Sequence, residues 1–167
     1  MSIKAILYHG HKGQIDSIIQ RVCQDTETHF AFLHKDGSVS DARPWGGFQR
    51  RQGHNYFECV ADIYTLNLTY EQQLLLDAAI KKRYGTKYDW WGLIGYFWYK
   101  LFKRQFDMKK AGFCSEIGVD CIRDTGAKCF DGLDSGMIAP ADIPEDDRMF
   151  HFEKSVNIWE FKIQGGS

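Results

Sequence analysis

The apolar positions of this 167-residue chain change their spacing several times, and each change marks an element. The opening run IKAILY predicts a first strand. In GQIDSIIQRVCQ, Ile15, Ile18, Ile19 and Val22 recur at i, i+3, i+4 and i+7, the spacing of one helix face. THFAFLHKDGSVSDARP holds two apolar-rich runs around Asp36-Gly37 and predicts a hairpin. GGFQRR and YFECVADIYTL predict further strands. TYEQQLLLDAAIKKRYG is the clearest helix: Thr69 and Gln72 form a capping-box pattern, Lys and Arg fill the last turn, and Gly85 ends it. KYDWWGLIGYFWYKLFKR is aromatic throughout and predicts helix in part. CSEIGVDCIRDTG predicts a helix ending at Gly126, MIAPADIPEDD a Pro-punctuated turn region, and HFEKSVNIWEFKI one or two closing strands. Hairpin signals instead of βαβ spacing predict an α+β fold on an antiparallel sheet. No repeat, linker or low-complexity stretch interrupts it, so residues 1–167 are expected to form one domain.

Composition works mainly by exclusion. The formal net charge is -1 and no Lys/Arg block forms a patch, which argues against a nucleic-acid partner. Five cysteines, an odd number without a repeating pattern, fit a reducing compartment better than a disulfide framework. The first residues carry one lysine and too few apolar positions for a secretory signal. The longest apolar run, WWGLIGYFWYKLF, is shorter than the ~20 residues that span a bilayer, so no transmembrane segment is expected. The expected location is the cytoplasm, or a site reached without a signal peptide by lysis, injection or dedicated export.

The candidate chemistry centres on AGFCSEIGVDCIRDTG. Cys114 has three readings: a small core residue, a metal ligand or a nucleophile. Free cysteines are commonly buried, so the core reading needs no further support. Cys114, Cys121 and Cys129 lack paired C-x2-C spacing, and His9 and His11 form a lone pair, so no metal and no cofactor are expected. The nucleophile reading rests on position. A thiol in the first helical turn feels unpaired N–H groups and the positive end of the helix dipole, which favour the thiolate. Gly118, one turn on, costs helix stability of roughly 1 kcal/mol, and close packing against a sheet would explain it. Cys121 is better read as core.

A nucleophile needs a base and a group that orients the base. Of the six histidines, His29 is best placed, because it opens an apolar strand whose face it shares with Ala31 and Leu33. Its plainer reading is a satisfied strand-end histidine. Asp41, across the hairpin, can accept from the imidazole and stabilise its charged form, or else be a solvated turn-edge carboxylate.

THFAFLHKDGSVSDARPWGG resembles the histidine hairpin of the NlpC-type, papain-like cysteine hydrolases. GTKYDWWG and GFCSEIG are similar to that superfamily's tyrosine segment and nucleophile helix. The histidine hairpin precedes the cysteine here, the order of the circularly permuted YiiX/YebB-like branch, which includes relatives of lecithin retinol acyltransferase. The resemblance runs from about Ile15 to Ile143 and includes the APADI turn. It implies a permuted papain-like fold, Cys114 as nucleophile, His29 as general base, Asp41 as orienting residue and Tyr88 beside the nucleophile. The family's third position is often His, Asn or Gln, so the aspartate is a departure.

The implied reaction is acyl transfer, with the Cys114 backbone N–H helping to hold the oxyanion. The first substrate class is an amide in a peptide or isopeptide, such as a cell-wall stem peptide. The rival is a lipid or thioester acyl group, motivated by the aromatic run beginning at Trp90 and Trp91, which would border the cleft or simply pack in the core. A third reading is an inactive papain-like binding or assembly module.

The hairpin register decides whether Asp41 can orient His29. A two-residue Asp36-Gly37 turn sets His29 across from Pro44 and sends Asp41 to the other face. An odd-length loop centred on Lys35 sets His29 directly across from Asp41, at about 5 Å between Cβ atoms, with Gly37 as the left-handed bulge residue. The catalytic reading expects the odd loop.

Overall fold

A computed structural model describes residues 2–9, 27–43, 46–52, 60–87 and 114–158. Its centre is a six-stranded antiparallel sheet: β1 (Lys4–His9), β2 (Glu27–Leu33), β3 (Val39–Arg43), β4 (Gly47–Arg51), β5 (Val60–Leu66) and β6 (Phe150–Asn157). The spatial order is β4-β3-β2-β1-β5-β6, every pairing antiparallel. Among the described residues two α-helices accompany it, α1 (Tyr70–Lys82) and α2 (Cys114–Arg123). The architecture is mixed α+β, as the hairpin signals implied. Among the described residues two 3-10 helices follow, Ser135–Met137 and, within the expected Pro-punctuated turn region, Pro140–Glu145. Pro140 starts the second one, where a missing N–H costs nothing. The amphipathic stretch at 15–22 and the aromatic stretch at 88–105 lie outside the described residues. Among the described residues, no helix is long and apolar enough to cross a membrane.

The alternation of strand side chains divides the core into two clusters. One face carries Ala5, Leu7, Phe30, Phe32, Ala42 and Tyr64, and packs with Leu76 and Ile80 of α1 and Ile117 and Cys121 of α2. The other face carries Ile6, Tyr8, Ala31, Leu33, Val39 and Ile63. α1 begins as its sequence specifies. Thr69 accepts from the Gln72 N–H at 3.2 Å, and the Gln72 side chain accepts from the Thr69 N–H at 3.0 Å. The outer edge of β4 is closed by backbone: Phe48 N–H donates to Thr86 O at 2.8 Å, and Gly85 N–H to Phe48 O at 2.9 Å.

α2 lies against β2 and β3. Gly118 makes this possible, since a Cβ there would stand 2.2 Å from Phe30 Cε1. Gly118→Ala should therefore destabilise the protein by about 1–3 kcal/mol through overpacking, although alanine is the better helix former. Urea denaturation of Gly118→Ala, alone and combined with Phe30→Leu, checks this: the second substitution should return part of the loss.

The β2–β3 connection corrects the expected register. The loop is odd, as the catalytic reading required, but it comprises Lys35, Asp36 and Gly37 and is centred on Asp36. Gly37 N–H donates to His34 O at 3.0 Å, His34 N–H donates to Ser38 O at 2.9 Å, and Gly37 has φ +78°. The left-handed glycine is the last loop residue, a position that moves the loop one residue along the chain. Asp36 Oδ1 fixes the turn by accepting from Ser38 N–H at 3.1 Å and Ser38 Oγ at 2.6 Å. Asp41 consequently pairs with Ala31, not with His29.

Candidate active site

His29 and Asp41 still meet. Both register patterns with an odd loop put them on one face, and the observed one makes them diagonal neighbours, within reach of long side chains. The described β2–β3 pairs run from Leu33 and Val39 to Ala31 and Asp41, and His29 pairs with Tyr8 of β1. His29 Nε2 lies 3.4 Å from Asp41 Oδ2, a long hydrogen bond. The His29 ring is tilted against that of Tyr8, with centroids 5.9 Å apart. His29 is 9% exposed and Asp41 is completely buried, which removes the solvated turn-edge reading of the carboxylate.

Two arginines hold Asp41, and the sequence reading had missed both. Arg43 Nε donates to Oδ2 at 2.7 Å. Arg51 Nη1 donates to Oδ1 and, at 2.9 Å, to the Asp41 carbonyl. Arg51 is itself anchored on β4 carbonyls, those of Gln49 at 3.2 Å and Gly47 at 3.1 Å. The signal for Arg43 was in the sequence: it stands two residues beyond Asp41 in the same strand, hence on the same face. Arg51 requires the β3–β4 register, in which Asp41 faces Gln49. Burial alone would raise the Asp41 carboxyl, but His29 and then Arg43 hold it well below the usual carboxylate range.

Cys114 opens α2 and is 6% exposed. Its neighbour Ser115 is fully buried and donates to Ile138 O at 2.5 Å, which ties the helix start to the first 3-10 turn. The thiol reaches His29 and acts on it both as a charge and as a hydrogen-bond partner. The imidazole thus interacts with both Cys114 and Asp41. Burial by itself would lower the His29 pKa; Cys114 and Asp41 outweigh it, raising the value from 6.5 to about 10. Burial pushes Cys121 and Cys129 up to about 12, which keeps both as thiols.

The remaining expected site residues, Tyr88, Trp90 and Trp91, lie outside the described residues. Among the described residues, no three His, Cys, Asp or Glu side chains converge as metal ligands. A second buried histidine, His34, is engaged elsewhere: its Nε2 is 2.7 Å from Ser40 Oγ, which is 3.0 Å from the Tyr84 hydroxyl. A cavity of about 420 Å³ between Lys4, Leu33 and Glu153 lies four residues along β1 and β2 from the Tyr8–His29 pair and is no part of this arrangement.

The raised His29 pKa has a measurable consequence. A group whose folded pKa exceeds its unfolded value stabilises the fold fully below the unfolded pKa, and that contribution is lost as pH rises through the folded one. For His29 the window runs from 6.5 to about 10. In NMR titrations of ring-labelled histidine, His29 should titrate at the alkaline end of this window, and its midpoint should fall in Cys114→Ala. An unchanged midpoint in that variant would mean that the thiolate does not act on the ring.

Neither family models nor curated proteins gave a match to this chain.

Proposed function

We propose that the protein is a cysteine hydrolase that cleaves an amide bond, in a peptide or isopeptide, through an acyl-enzyme. The observation that carries this reading is the unbroken contact chain from Cys114 through His29 to Asp41. Free core cysteines have no need of a buried, positively charged imidazole, whereas a thiolate nucleophile does. The permuted papain-like fold suggested by the motif order has the same elements, a histidine-bearing hairpin and a helix that opens with cysteine.

The chemistry follows from the contacts. His29 Nε2 is turned to Asp41, and the imidazole exchanges a proton with the thiol. The thiolate attacks the carbonyl carbon, and the oxyanion is held at the positive end of α2, with the Cys114 N–H as one donor. The imidazolium gives its proton to the leaving amine as the C–N bond breaks, and the acyl group remains on sulfur. Water, deprotonated by the now neutral His29, attacks the thioester, and the acid departs as the thiol re-forms.

The test is a side-by-side assay of peptide, isopeptide and acyl-lipid substrates, with iodoacetamide labelling mapped by mass spectrometry. The reading expects an acylated Cys114 with an amide substrate, and labelling of Cys114 ahead of Cys121 and Cys129. Turnover of acyl lipids alone would replace the amide with the ester or thioester class. Faster labelling of Cys23 or Cys59, with Cys114 inert, would remove the nucleophile assignment.

A further inference from the structure

We propose that the outward face of α1 is a self-association surface, which pairs antiparallel with α1 of a second copy of this chain. A helix on a sheet normally turns one apolar stripe inward and polar residues outward. α1 buries Gln73, Leu76, Ala79 and Ile80, yet its outward side carries Tyr70 at 68% exposure, Leu74 at 49% and Leu75 at 52%. Single exposed leucines are ordinary, but three large apolar side chains within two turns form a patch. Ala78 continues the same side and is also exposed.

The order of charges along this face selects the occupant. Glu71 lies in the first turn, the apolar group in the middle, and Lys81 and Lys82 in the last turn. A two-fold axis crossing the helix at Leu76 sets Leu74 opposite Ala78 of the second copy, and Glu71 opposite its Lys81, with Lys82 adjacent. The contact between opposite charges then occurs twice, once at each end of the pair, by symmetry. The helix dipoles run antiparallel, which favours the same arrangement. A parallel pair would stack like charges. Alanine facing leucine lets the two helices approach closely. Lys81 is already paired with Asp77 at 2.5 Å, so Lys82 is the freer cation for exchange experiments. One pair of 13-residue helices buries less than a standard interface, so the association is weak, with a dissociation constant on the order of 100 µM.

Sedimentation velocity from about 10 µM to about 1 mM tests the proposal on the full chain. Wild type should shift from monomer to dimer across this range. Glu71→Lys alone and Lys82→Glu alone should each weaken association roughly tenfold, because each turns two attractive contacts into repulsive ones. An equimolar mixture of the two variants should associate again, since each supplies the charge that the other lacks. Circular dichroism confirms that the variants are folded. A wild type that stays monomeric throughout, or a mixture that does not associate, overturns the proposal. So does a monomer that instead co-sediments with phosphatidylcholine vesicles and loses that binding in Leu74→Glu.

Discussion

Cys114→Ala is expected to lower turnover by at least about 10⁴-fold while leaving the fold in place. The catalytic loss is large because the covalent step disappears altogether; the remaining donors and binding contacts give only residual acceleration. The structural loss is small because alanine fills most of the space of a buried thiol, and the missing sulfur costs about 1 kcal/mol. Asp41 keeps its two arginines, so no carboxylate is stranded. Stability measured by urea denaturation should differ most between wild type and variant at the acid end of the window from 6.5 to about 10, and the two should converge as pH rises through it. A variant that keeps turnover would show that another group carries the reaction.

The parts legible in the sequence are those fixed by local chemistry. Thr69 and Gln72 specify the start of α1 with a pair of reciprocal hydrogen bonds that depends on nothing distant. Gly118 was legible as a packing residue because its helix penalty needs a cause, and Phe30 is that cause. The parity of the hairpin loop was legible from the requirement that His29 and Asp41 share a face. Its centre was not, because Lys35 and Asp36 are both acceptable mid-loop residues. The choice is made by the Ser38–Asp36 contacts and by Gly37 taking the left-handed position at the loop's end. Arg51 was invisible because its meeting with Asp41 is a consequence of the β3–β4 register, a non-local pairing. The diagonal placement of His29 depends on the same kind of information.

Asp41 should show the largest combined effect on stability and activity, and three substitutions separate its roles. Asp41→Leu leaves the Arg43 and Arg51 guanidiniums, which are 21% and 16% exposed, without their shared carboxylate. Stranding buried charge in this way costs about 3–5 kcal/mol, a large part of the 5–15 kcal/mol that holds a domain of this size. Asp41→Asn keeps the shape and an acceptor oxygen. It loses the charge that holds the imidazolium, so the His29 pKa should fall and stability should drop by less than in the leucine variant. Activity should survive at about a tenth of the wild-type rate, because an amide can orient the histidine beside a cysteine nucleophile. The double variant Asp41→Asn with Arg43→Gln removes the stranded cation nearest His29 and should be more stable than Asp41→Asn alone, a coupling read from the double-mutant cycle. Denaturation midpoints and kcat for wild type, the two Asp41 variants, Arg43→Gln alone and the double variant decide the matter. Equal stability of the leucine and asparagine variants would show that the arginines do not depend on the carboxylate. Full activity in the leucine variant would reduce the site to a Cys-His pair.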